Sequence, residues 1–163
     1  MKRPKKKRIG IPSQISGMAG VYYAAYELSR LSLVALPTSR NLAGIDLVVT
    51  NQDGNGQATI QVKTMQKKSK LWQVNKVPTY KAGRGREFHI LVRFNKTDKP
   101  DCFIIPSKVF ARAVNQDVEQ WCKRKAGRNP ATCPLLVYKF HMTKKREKLY
   151  LNKWNLIEKA LRR

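Results

Sequence analysis

Two apolar runs constrain this chain most: Gly44-Ile45-Asp46-Leu47-Val48-Val49 and Ile60-Gln61-Val62-Lys63-Thr64, separated by Asn51-Gln52-Asp53-Gly54-Asn55-Gly56. The Asp-Gly and Asn-Gly pairs supply positions that tolerate φ > 0, so the spacing predicts a tight antiparallel hairpin. Side chains alternate across a strand, which puts Ile60 and Val62 on one face and Gln61 with Lys63 on the other. An Asp then faces a Gln/Lys pair. Such a group can hold a hard divalent cation through oxygen ligands, with an ammonium beside it to stabilise negative charge at phosphorus or on an attacking hydroxide. The same residue types also occur on ordinary solvated hairpin faces, so the rest of the chain has to decide.

Charge points to a polyanionic partner. Lys and Arg total 34 against 10 Asp and Glu, a net charge of +24. Self-repulsion of that size destabilises a compact chain unless a polyanion neutralises it. The charge is also unevenly placed: residues 17–64 hold three basic and three acidic residues, whereas 65–99 and 126–163 each hold ten basic and two acidic. The hairpin sits in the neutral stretch, and the two blocks that follow it suit separate surfaces holding the phosphate backbone on either side of a cleft. Expected backbone contacts are Arg40, Lys67, Lys68, Lys70, Lys76, Lys81, Arg84, Arg86, Lys144, Lys145 and Arg146.

At 163 residues and 42% hydrophobic composition, one domain with a real core is expected over residues 13–163, its C-terminal end a basic extension, behind a disordered basic arm at 1–12. Cys102, Cys122 and Cys133 form no Cys-x-x-Cys pair and read as packing thiols of a reducing compartment rather than a zinc site with His141. No run approaches the roughly 18 apolar residues of a membrane span, and no apolar signal follows Arg8. The expected setting is cytoplasmic and nucleoid-associated, or nuclear in a eukaryote, with no membrane partner.

Periodicity orders the elements. Ile15, Met18, Ala19, Tyr22 and Tyr26 predict a helix from Gln14 to about Leu33, with the aromatic stripe Tyr22, Tyr23 and Tyr26 toward the core rather than serving as a base-stacking platform, and Gly17 and Gly20 inside it suggest a close backbone neighbour. Strands are expected at 33–36, 71–74, 88–94, 102–105 and 135–140. Ser107 should cap a helix over 108–122 with Val109, Phe110, Ala113, Val114 and Trp121 inward, and a last helix should span 150–161. Together they predict an α/β domain with a central mixed sheet flanked by helices.

Gly44-Ile45-Asp46 followed by Ile60-Gln61-Val62-Lys63 resembles the PD-(D/E)XK nuclease superfamily, whose metal site uses an Asp on one strand and a Glu/Gln-x-Lys on the next. The Gln form is similar to methylated-DNA restriction endonucleases; archaeal Holliday-junction resolvases are similar but carry Glu there. Gly17-Met18-Ala19-Gly20, Glu27-Leu28, Trp72, Asp101 and Phe103-Ile104-Ile105-Pro106-Ser107-Lys108-Val109 extend the resemblance, over residues 14–122, to small bacterial members of the superfamily. It implies a restriction-endonuclease-like core and a metal-dependent DNA endonuclease, with Asp46 and Gln61 holding Mg²⁺ or Mn²⁺ and Lys63 orienting or deprotonating water. One departure matters: the residue after the second helix glycine, usually Glu in those relatives, is Val21. The alternative is therefore a catalytically weak or inactive nucleic-acid-binding module on the same fold. A ribosomal or RNA-packaging protein would also fit the charge, and RNA is the alternative ligand. A homodimer, or a subunit of a larger nucleic-acid-processing complex, is the expected assembly.

Overall fold

The computed structural model describes residues 12–39, 44–66, 70–74, 85–95, 99–126 and 138–162. Most of the basic arm, Arg40, Lys67, Lys68, Lys76, Lys81, Arg84 and Cys133 lie outside the described residues. Helix α1 (Ser13–Ser29) leads through β1 (Val34–Pro37) and β2 (Leu47–Thr50) to β3 (Gln57–Met65), β4 (Leu71–Val74), β5 (Glu87–Arg93) and β6 (Asp101–Pro106). Then come α2 (Ser107–Ala126), β7 (Tyr138–His141), α3 (Lys144–Tyr150) and α4 (Asn155–Leu161). Five strands form one mixed sheet in the order β1-β2-β3-β5-β6, while β4 and β7 pair separately. Helices flank the sheet, so the α/β class with a central mixed sheet is the one the sequence pattern led us to expect.

The hairpin forms as expected: β2 and β3 run antiparallel with Leu47 opposite Ile60 and Thr50 opposite Gln57. Gly54, at φ 72°, makes the turn, and its N–H donates to the Asn51 carbonyl at 3.2 Å. The Asn51 Oδ1 accepts from the Gly56 N–H at 3.2 Å, an Asx-type closure. Gly56 has no positive φ; it is required because a Cβ there would run into the Leu161 carbonyl of α4.

Alternation along the central strands builds a core on both sheet faces. Ile60, Phe88, Ile90, Val92, Cys102 and Ile104 join Val21, Ala24 and Leu28 of α1 and Ile157 and Leu161 of α4 in one apolar cluster. Leu91, Phe103 and Ile105 join Phe110, Val114, Val118 and Cys122 of α2 in a second cluster, which Trp72, Val74, Phe140 and Met142 of the small sheet complete. A strand buried on both faces reads as a continuous apolar run, as Phe88–Val92 does.

Three expectations are corrected. Of the three tyrosines expected inward, Tyr23 packs against the α1-side cluster while Tyr22 and Tyr26 face solvent with Ile15 and Ala19; α1 buries Ser16, Gly20, Val21, Ala24 and Leu28 instead, because small residues let the helix lie close on the sheet. Gly20 is the contact point: a Cβ there would overlap the Thr64 side chain, whereas Gly17 meets nothing within 4 Å. Ser107 is the first residue of α2 rather than a cap ahead of it, with its hydroxyl buried, and Val109 and Trp121 are exposed. The terminal helix expected over 150–161 is the shorter α4, and α3, where no helix was expected, precedes it. Thr143 accepts from the Arg146 N–H and starts α3; Asn152, at φ 52°, breaks the chain before α4. The break bonds to the sheet edge, with Asn152 N–H donating to the Cys102 carbonyl at 2.6 Å and the Cys102 N–H donating to the Asn152 Oδ1 at 3.2 Å.

Candidate functional site

The site grows from the open end of the hairpin. Asp46 lies one residue before β2, where its N–H still donates to the Ile60 carbonyl at 2.8 Å. Its carboxylate then takes over from the strand: Oδ2 accepts the Val62 N–H at 2.7 Å. That bond satisfies a strand donor as β2 begins, and it fixes the carboxylate against β3.

Leu47 pairs with Ile60 in the α1-side cluster, so alternation places Asp46 on the opposite face. Gln61 and Lys63 are on that same opposite face, since Ile60 and Val62 pack toward α1. Asp46, Gln61 and Lys63 therefore share a face. Burial pushes the Lys63 ammonium below its ordinary range, and the Asp46 charge partly offsets this. No ion pair closes between them, and Lys63 makes no salt bridge among the described residues. Lys63 is thus a half-buried cation on the Asp46 side of the sheet, with no salt bridge to that carboxylate.

Sequence reasoning missed a neighbour. In the parallel β3–β5 ladder Gln61 stands beside His89, and Lys63 beside Leu91. His89 is buried; its Nδ1 is 2.9 Å from the Ser107 hydroxyl, and its ring stacks on Phe110 with centroids 4.2 Å apart. Burial first, and the Lys63 charge second, push His89 down to about 3, so the ring is neutral at physiological pH. The available signal was a lone imidazole inside the apolar run Phe88–Val92, on the Gln61 face by parity.

The other expected contacts are more scattered. Lys70, Lys144 and Lys145 are exposed, and Arg86 is half-buried where its carbonyl accepts from the Thr59 N–H at 3.1 Å. Arg146 has its guanidinium engaged: it bonds both Asp117 oxygens and the His141 carbonyl, and it lies 4.8 Å from the Phe140 ring centroid. Its visible work is to tie α3 to α2 and β7. Val21 is buried in the α1-side cluster. Cys102 and Cys122 are buried among apolar side chains, and burial pushes the Cys102 thiol up to about 12, as expected of packing thiols.

Among the described residues no group of three or more His, Cys, Asp or Glu could hold a metal. A cation at the hairpin would depend on the Asp46 carboxylate, the Gln61 amide oxygen and backbone carbonyls. This all-oxygen set fits a hard cation such as Mg²⁺ or Mn²⁺ and does not fit zinc. Among the described residues no helix is long and apolar enough to cross a membrane.

No protein-family model matches the chain, and no curated protein matches it. Among solved structures, a bacterial homing endonuclease, I-Ssp6803I, is similar with a TM-score of 0.51 and 17% identity, covering 91% of this chain and 93% of that one. At that identity the likeness is one of fold, and it spans nearly the whole of both chains.

Proposed function

We propose that this chain is a metal-dependent endonuclease of the PD-(D/E)XK type that hydrolyses phosphodiester bonds in DNA. The observation that supports the reading is the sheet face that strand alternation gives in common to Asp46, Gln61 and Lys63, in a fold like that of a homing endonuclease. The net charge of +24 supplies the affinity for a polyanion. Asp46 and Gln61 would hold the cation, whose chemistry is to polarise a phosphoryl oxygen and acidify a bound water. Asp46 is held for that role by the Val62 N–H. Lys63, eased toward deprotonation by burial, takes a proton from the attacking water when neutral and stabilises phosphorane charge when protonated. His89, Gln61's neighbour in the β3–β5 ladder and bonded to Ser107, stays neutral and so adds no positive charge to compete with the cation.

A second reading is favoured by a specific deficit: Gln61 is neutral, and Val21 lies in an apolar cluster. On that reading the chain grips nucleic acid on a nuclease fold, within a larger complex, and cuts poorly or not at all. Incubation of the purified protein with supercoiled, linear and branched DNA and with RNA, in Mg²⁺ and in Mn²⁺, separates the two. The endonuclease reading expects metal-dependent nicking or cutting of at least one DNA form. Binding of all forms with no cutting in either metal would favour the second reading.

A further inference from the structure

The outward face of α1 is left unexplained by the site and by the core. Ile15, Tyr22 and Tyr26 are 60%, 59% and 57% exposed, and with exposed Ala19 they recur at i, i+4, i+7 and i+11, one continuous stripe. The buried residues Ser16, Gly20, Ala24 and Leu28 lie on the other side of the helix, so the stripe points away from the sheet. Three large apolar or aromatic side chains in line on a short helix are more than the scattered exposure usual on a surface.

We propose that this stripe is the self-association surface of the protein, pairing α1 antiparallel with α1 of a second copy about a two-fold axis. Charge selects the occupant. Residues 12–39 contain a single acidic residue, Glu27, and a single basic one, Arg30, which pair with each other at 3.4 Å, in a chain whose net charge is +24. Beyond the basic arm that precedes it, this stretch leaves no unpaired charge for two copies to bring together, unlike the basic blocks at 65–99 and 126–163. DNA is drawn to the basic blocks and the basic arm, and the uncharged stripe itself offers it no cation.

The stripe is also self-complementary, as a two-fold interface has to be. With the two-fold axis between positions 19 and 22, Ile15 meets the partner's Tyr26 at each end and Ala19 meets the partner's Tyr22 in the middle. Large side chains thus cover a small one at the centre, which lets the helices approach closely. Tyr supplies much contact area at low entropy cost and dominates interfaces for that reason. A seam of about three turns falls short of the roughly 1,200 Å² of a standard stable interface, which suits a reversible, concentration-dependent dimer.

Sedimentation equilibrium of the full chain at about 5 to 500 µM, in about 0.3 M salt to screen the net charge, tests this. The expected result is a reversible monomer–dimer equilibrium that Tyr26→Lys and Ile15→Glu each weaken at least tenfold, with unchanged circular dichroism. The double variant should regain association, because the new ammonium of one copy meets the new carboxylate of the other. Leu149→Lys, at an exposed apolar position on α3, should change nothing. A monomer at every concentration overturns the proposal, as does a dimer that Tyr26→Lys leaves intact or that Leu149→Lys disrupts.

Discussion

Asp46 serves the fold and the site at once: one oxygen closes the ladder at Val62, and the carboxylate it anchors faces Lys63. A single residue therefore serves both the start of a strand and the candidate site. His89 is the complementary case, a titratable group kept neutral beside a cation. Its folded pKa, about 3, lies below the ordinary 6.5. The unfolded chain takes up a proton below about pH 6.5 that the folded chain refuses, so the stabilisation is full above 6.5 and is lost as pH falls toward 3. The slope approaches about 1.4 kcal/mol per pH unit. Urea unfolding between pH 7 and 4.5 checks it: wild type should lose stability more steeply than His89→Gln, which keeps a partner for Ser107 but does not titrate. Parallel curves would mean that His89 charges freely in the folded protein. Lys63 was legible in the sequence through the spacing of Gln61-Val62-Lys63, whereas His89 and Ser107, 18 residues apart, meet only through the β5–β6 pairing.

At the scale of elements, the hairpin was readable because its turn residues and its alternation agree. Helix α1 was found but rotated, since the apolar count favoured Tyr22 and Tyr26 while close packing favoured Gly20 and Ala24. Burial follows shape as well as hydropathy when a helix lies on a twisted sheet. Helix α3 was hidden by its charge run, and the left-handed Asn152 that splits it from α4 is visible only in three dimensions. The two glycines of α1 separate these effects. Gly17→Ala should stabilise the protein by about 1 kcal/mol through helix propensity, because nothing opposes the new methyl. Gly20→Ala should instead cost about 1–3 kcal/mol by forcing α1 off Thr64, and Thr64→Ala should recover part of that loss. Chemical denaturation of Gly17→Ala, Gly20→Ala, Thr64→Ala and the Gly20→Ala/Thr64→Ala double variant measures both. Equal effects at the two positions would contradict the packing described here.

For the molecule as a whole, the α/β class followed from the order of elements, but the separate β4–β7 pair did not, because its strands are brought together across a long stretch of sequence. Charge was legible as a total and along the chain; which cations are committed was not, and Arg146 illustrates it through its bonds to Asp117. Function is divided on this account between a neutral hairpin that carries the chemistry and basic surfaces that hold the backbone. Chemistry and grip should then fail separately. The most direct measurement compares wild type and Asp46→Ala for DNA affinity without metal and for cleavage with Mg²⁺ or Mn²⁺ in the same preparation. The account predicts that Asp46→Ala binds as tightly as wild type, or more tightly, since a negative charge near phosphate is lost, while cleavage falls below detection. Cleavage by Asp46→Ala at the wild-type rate would contradict it.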